Sequence, residues 1–309
     1  MLSVRHGSGR AMRQVGVTID ALRAAILSAG GGDNALDDAE VLHGKVMRIA
    51  SEPRARPTLK QLLQARNAGD FRGRALEVNV AACFVQGGLS VEYGVKQPGC
   101  SGDIDLMFRA GGRRVHLELK HLGQDQQTRR WISAQLQGTN GYCIRVDDDL
   151  GDVVRLQRDI IGKASTRKFN PIPSPDVINL VGIDVAELQL ATIDLGDCLL
   201  AAGGNSLAAR YCHPSCLREG VVGVFEDVVS ARCSPAQRQW IDGYHQVPGD
   251  APHPRDYLHG AVFLFRDRPE TAALSYELRS VLVWNSRLVP AEVRSAVGAA
   301  LYRVVPPAY

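Results

Sequence analysis

No stretch of the 309-residue chain approaches the roughly 20 consecutive apolar residues that a bilayer-spanning helix needs, so no membrane span is expected. The segment from Met1 to Arg23 carries basic residues but no continuous apolar run, and a secretory leader is not expected. Cysteines are few and unpaired in pattern. There are seven, an odd number, at Cys83, Cys100, Cys143, Cys198, Cys212, Cys216 and Cys233, with no dense framework. That argues against a disulfide-stapled secreted fold and for a reducing, cytoplasmic setting with free thiols. There is no Walker A run and no G-x-G-x-x-G, which disfavours an NTPase or a dinucleotide enzyme. Ser206, Ser275 and Ser280 have no nucleophile-elbow context. No internal repeat or low-complexity tract occurs.

What is present describes a globular protein. Hydrophobic residues make up 45% and charged residues 22%, which excludes a disordered or collagen-like chain. The length suffices for one large α/β domain or two smaller units. The net charge of +3 conceals a segregation. Residues 1–168 hold 25 basic and 18 acidic side chains, and residues 169–309 hold 11 and 15. The basic excess thus falls in the first half, with clusters at Arg109, Arg113, Arg114, Arg129 and Arg130, and at Arg155, Arg158, Lys163, Arg167 and Lys168. A polyanion binder uses such groups on phosphates, although any one cluster also describes a solvated face.

Residues 1–70 read as a helical region, with helices over Val17–Ala29, Ala35–Ala50 and Leu59–Ala68. From Arg74 the pattern is a helix to Gln86, a strand over Leu89–Val95, and a strand over Asp103–Arg109. A Gly111-Gly112 turn and a third strand over Arg113–His121 follow. Gln124–Gln137 is partly helical in expectation, and Asp152–Lys168 is a basic helix. Val177–Val185 is a buried strand. Residues 191–309 form an α+β region, with strands expected at Gly220–Val229, Gly260–Arg266 and Leu278–Trp284 and a helix over Pro290–Val304. It either completes the sheet or mediates interactions.

The chemistry concentrates in Gly102-Asp103-Ile104-Asp105-Leu106 and His116-Leu117-Glu118-Leu119-Lys120. Strand side chains alternate faces, so Glu118 and Lys120 share one face, as do Asp103 and Asp105. A tight hairpin brings Asp105 beside Glu118. Two neighbouring carboxylates repel unless a cation joins them. Mg²⁺ takes oxygen ligands, activates water and neutralises phosphate charge. Lys120 can orient that water or stabilise the transition state, and the Leu119 carbonyl can add an oxygen ligand. The same alternation also describes an ordinary half-exposed sheet. His116 shares the face, where a packed role is the commoner one. Cys212, His213, Cys216 and Cys233 have zinc-competent chemistry, but the paired ligand spacing is missing and the question of zinc stays open.

The D-x₁₂-E-x-K strand–hairpin–strand run resembles the PD-(D/E)XK nuclease superfamily, in particular resolvase-like and restriction endonuclease-like members. The resemblance covers about 110 residues, Arg74 to Val185. It implies an α/β fold with an αβββαβ core, a mixed central sheet flanked by helices, over residues 71–190. It further implies a Mg²⁺- or Mn²⁺-dependent hydrolase cutting phosphodiester bonds, an endonuclease on DNA in preference to RNA. Asp105 and Glu118 match the metal-binding acids, Lys120 the catalytic lysine, and Glu77 the first-helix glutamate near the metal. The literal Pro-Asp is absent, and Asp105 is favoured over Asp103 because an apolar run follows it. Arg113, Arg114, Arg129 and Arg130 would contact nucleic acid. Paired cuts in a duplex would favour a homodimer. The alternative reading is a catalytically silent nuclease-like module for nucleic-acid binding or protein assembly.

Overall fold

A computed structural model describes residues 17–29, 35–123, 149–172, 174–186, 193–227, 232–266 and 277–308. Gln124–Gln137, Arg129, Arg130 and Cys143 lie outside these residues. Among the described residues no helix is long and apolar enough to cross a membrane.

The chain opens with three helices, α1 (Ile19–Ser28), α2 (Ala35–Ile49) and α3 (Arg56–Leu63). Thr18 caps α1 by accepting the Ala21 N–H at 3.1 Å. Along α2, Ala35, Ala39, Leu42, Val46 and Ile49 are buried at helical spacing and form its inner face. Pro57 occupies the first turn of α3, where its missing N–H costs nothing. The third helix therefore ends at Leu63, earlier than expected, and α4 (Ala68–Gln86) begins with Asn67 accepting the Asp70 N–H at 2.9 Å.

α4 is the central helix. Nearly every residue from Ala75 to Phe84 is buried, because α2 and α3 pack on one side and β1, β2 and β3 on the other. A helix apolar all round is stable only when enclosed in this way. Its polar exceptions are met individually: Lys45 Nζ of α2 donates to Asn79 Oδ1 at 2.6 Å.

Six strands form one mixed sheet in sequence order: β1 (Val91–Lys96), β2 (Asp103–Ala110), β3 (Arg113–His121), β4 (Val177–Asp184), β5 (Gly260–Arg266) and β6 (Leu278–Trp284). β1, β2 and β3 are an antiparallel meander, β3, β4 and β5 are parallel, and β6 returns antiparallel. Helix α5 (Asp149–Ala164) connects β3 to β4, while α6 (Leu195–Tyr211) and α7 (Pro235–Tyr244) lie between β4 and β5. α8 (Ala291–Val304) closes the described chain. β4 is buried along its whole length, as a strand covered on both faces must be.

The sheet divides two cores. Leu106, Phe108, Val115, Leu117 and Leu180 face α1–α4 and α8. Val181, Ile183, Ala261 and Val283 face α5, α6 and α7. The protein is thus α/β with a helix layer on each face of an open mixed sheet. The C-terminal strands β5 and β6 extend the same sheet as the N-terminal meander.

Gly220–Val229 is not a strand over its described part, residues 220–227. Val221, Val222, Val224 and Phe225 are buried, which accounts for the apolar run, but their backbone pairs elsewhere. α6 is interrupted at Gly204, with φ 67° and ψ −170°. The Val224 and Phe225 N–H groups donate to Ala201 and Ala202 carbonyls at 3.0 and 2.8 Å, carbonyls that the interrupted helix leaves open. A Cβ at Gly204 would fall 1.9 Å from Glu226 Oε2 and 2.9 Å from Gly223 N. Both the positive φ and the close approach require glycine. Gly204→Ala is expected to destabilise the fold by about 2 kcal/mol or more. An unchanged thermal midpoint would show that the break is not required.

Candidate functional site

Gly111 and Gly112 join β2 to β3 with φ values of 56° and 75°, as a two-residue hairpin turn requires. The turn fixes the register, with Leu106 opposite Leu117 and Met107 opposite His116. By alternation Met107, His116, Glu118 and Lys120 fall on the face that α5 covers, while at Asp105 the alternation breaks, since Ile104 packs in the α5-side core and Leu106 in the α4-side core.

At Asp105 and Glu118 the ladder changes character. The Asp105 N–H donates to Glu118 Oε2 at 3.3 Å, and the Leu119 N–H donates to Asp105 Oδ2 at 2.8 Å. Each carboxylate therefore has one oxygen pinned by the opposite strand's backbone. The other two oxygens converge on one cation. Lys168 Nζ lies 3.5 Å from Asp105 Oδ1 and in direct contact with Glu118 Oε1. Lys163 Nζ stands 3.5 Å from Asp105 Oδ2 and 3.3 Å from Glu118 Oε1.

The end of α5 explains how the lysines arrive. α5 was expected to continue to Lys168 but stops at Ala164. Arg167 then takes a left-handed backbone, φ 56°, and its carbonyl accepts the Ser101 N–H at 3.1 Å. That bond ties the turn to the start of β2. Gly102 makes room there, since a Cβ would come 2.8 Å from Lys168 Cγ. α5 itself carries a charged stripe at i, i+4 spacing, namely Arg155, Asp159 and Lys163. Each member meets the end of β3 or the carboxylates: Arg155 donates to the Gly123 carbonyl, Asp159 Oδ1 is 3.8 Å from Lys120 Nζ, and Lys163 reaches Asp105 and Glu118.

Of the four residues matched to catalysis, three share one electrostatic neighbourhood. Glu118 is fully buried and Glu77 is 7% exposed. Burial, and then repulsion from Asp105, push both carboxyls up to about 7, against the pull of nearby cations. Arg74 holds Glu77 Oε1 at 2.6 Å. Lys168 is raised as well: burial opposes its charge, but Asp105 and Glu118 outweigh that. Lys120 is placed differently. Its side chain is 44% exposed and its ammonium pairs with Asp159, so it stands on the shared face without touching the carboxylates. His116, buried two positions before Glu118, is lowered by desolvation to about 4 and is neutral near pH 7.

Arg113 and Arg114 sit at the hairpin end of β3, five and four positions from Glu118. At about 3.3 Å per residue this separates them from the carboxylates by roughly 13 to 17 Å. Lys163 and Lys168 are the basic groups at the site itself. The spacing Arg155–Asp159–Lys163 was a usable signal for the first. The sequence marked Lys168 only as one of a basic cluster, because its place at the carboxylates depends on where α5 ends.

The donor set suits a hard divalent cation. Two carboxylate oxygens already converge on a point of positive charge, and oxygen ligands are what Mg²⁺ and Mn²⁺ take. Among the described residues no group of three or more His, Cys, Asp or Glu is arranged to hold a metal, so a cation here would draw its remaining ligands from backbone and water. Nor do Cys212, Cys216 and Cys233 belong to such a group among the described residues, and Cys216 closes a short 3₁₀ turn from Pro214. Compared with known proteins, the chain matches no family model, no curated protein and no solved structure.

A pH dependence follows from Glu118. Its folded value, about 7, lies above its ordinary 4.5, so its contribution to stability is complete below the ordinary value and is lost as pH rises through about 7. Glu118→Gln cannot ionise and should flatten the fall in thermal midpoint between about pH 5 and pH 8 that this linkage causes. An equally steep fall in the variant would rule Glu118 out as its source.

Proposed function

We propose that the protein is a metal-dependent nuclease that hydrolyses phosphodiester bonds, acting as an endonuclease on DNA. The observation that carries this reading is the pair Asp105 and Glu118. Each has one oxygen fixed by the facing strand and one directed to a common cation position. The helix, three-strand meander, helix and parallel strand of residues 68–184 match the order expected of a restriction endonuclease-like core, and the E-x-K triplet sits on its third strand. The excess of basic residues in the first half of the chain suits a polyanionic substrate.

In this reading Asp105, Glu118 and the Leu119 backbone carbonyl hold Mg²⁺ or Mn²⁺, with Glu77 beside them. The bound ion would supply Lewis acidity and an activated water at neutral pH. Lys163 and Lys168 hold the scissile phosphate by charge. Lys120, the next residue on the same face as Glu118, orients the attacking water. Glu77, held near neutral pKa by burial and by Asp105, takes or returns a proton at its carboxyl oxygen. Arg74 keeps that carboxyl in place through its 2.6 Å contact.

One observation favours a second reading. Lys163 and Lys168 already neutralise the two carboxylates, as they would in a silent nuclease-like module that binds nucleic acid without cutting it. The two readings separate in one assay. Supercoiled plasmid, single-stranded DNA and RNA are incubated with Mg²⁺ or Mn²⁺, and DNA cleavage is expected for the parent. Asp105→Asn and Glu118→Gln are each expected to lose about a hundredfold or more in rate. Lys120→Ala is expected to lose a comparable factor and Lys163→Ala to weaken DNA binding. Binding without cleavage would select the silent module. Cleavage that survives Asp105→Asn would overturn the site.

A further inference from the structure

β6 is the last strand of the sheet, and its outer edge is only partly covered. Ser280 is paired by the C-terminal tail: its N–H donates to the Pro306 carbonyl at 2.8 Å, and its carbonyl accepts the Ala308 N–H at 3.0 Å. Two residues on, the Leu282 N–H is met by the Tyr302 hydroxyl of α8 at 3.2 Å. Beyond that point, at Trp284, no described residue continues the edge. A cavity of about 390 Å³ opens there, bounded by α6 on one face of the sheet, α8 on the other and the edge of β6 between them.

The composition of the walls is selective. Leu199 and Leu207 of α6, with Trp284 of β6, supply apolar surface, and each helix adds one guanidinium, Arg210 and Arg294. No acidic side chain lines the cavity. Arg294 is half-buried and Arg210 exposed, so guanidinium surface is open to the cleft. The volume is that of a small-molecule site, and the mixture of apolar wall with a few convergent polar groups is what such sites use. The walls carry no Asn, Gln, Asp or Glu side chain to read the polar edge of a nucleobase.

We propose that this cleft binds a small organic anion with an apolar body and one carboxylate or phosphate head. The body lies against Leu199, Leu207 and Trp284. The head is held between Arg210 and Arg294, whose planar donors suit either oxyanion. The site is three strands from Glu118 and four from Asp105, and it stands or falls independently of the nuclease reading.

Calorimetric titration of the full chain tests it, with decanoate and octyl phosphate as probes and with acetate, inorganic phosphate and AMP as controls. Saturable one-to-one binding of decanoate or octyl phosphate is expected, with none of the controls bound. Arg294→Gln should weaken it by about tenfold or more, as loss of a charged hydrogen bond does. Leu207→Trp should abolish it by filling the cavity. Circular dichroism melts confirm that each variant is folded, and Arg210→Gln replaces Arg294→Gln if the latter is not. Absence of saturable binding, binding undiminished in the folded variants, or binding of AMP in place of the apolar anions would overturn the proposal.

Discussion

The exchange of bonds between Asp105, Glu118 and the facing backbone is the constraint on which the site depends. At this level the hairpin is held by carboxylates accepting from Asp105 N–H and Leu119 N–H. Two anions set into a sheet under a helix would be untenable alone, since burial and mutual repulsion both oppose their charge. The fold answers with Lys163 and Lys168 from the far end of α5 and the turn beyond it. That requirement reaches outward. It fixes where α5 ends, why Arg167 adopts a left-handed backbone, and why glycine stands at position 102.

The rest of the architecture holds the hairpin rigid. α4 lies buried between the sheet and the N-terminal helices, and it carries Glu77 into the same electrostatic field. β4 lies beside β3 in parallel register, with Val181 opposite Glu118 and Ile183 opposite Lys120. These residues close the α5 face with apolar surface, so charge at the site is met by a small number of specific partners. The C-terminal strands contribute at a distance. By pairing on β4, β5 places one edge of the sheet at β6, away from the carboxylates, while the other edge is β1.

Much of the hairpin was legible in the sequence, because strand alternation and a Gly-Gly turn are local signals. They placed Asp105 beside Glu118 and Lys120 on the same face. What was not legible depended on tertiary packing. A helix pattern through Lys168 gave no sign that the chain would turn at Ala164 and bring Lys168 back. The Lys120 ammonium finds Asp159 because a charged stripe on α5 lies over it, a pairing between distant segments. The apolar run after Gly220 looked like a strand because burial alone makes such runs. Its backbone bonds instead close the break in α6, which itself carries too much alanine and glycine to show a helical period. The Asp194–Asp197 and Ser234–Gln237 capping boxes were the usable signals for α6 and α7.

A crystal structure of the protein soaked in Mn²⁺, phased on the anomalous signal of the ion, tests the central claim most directly. The account predicts an anomalous peak coordinated by Asp105 and Glu118, with the Lys168 ammonium moved off their free oxygens. Full soaking with both carboxylates still held by Lys163 and Lys168, and no peak between them, would contradict it.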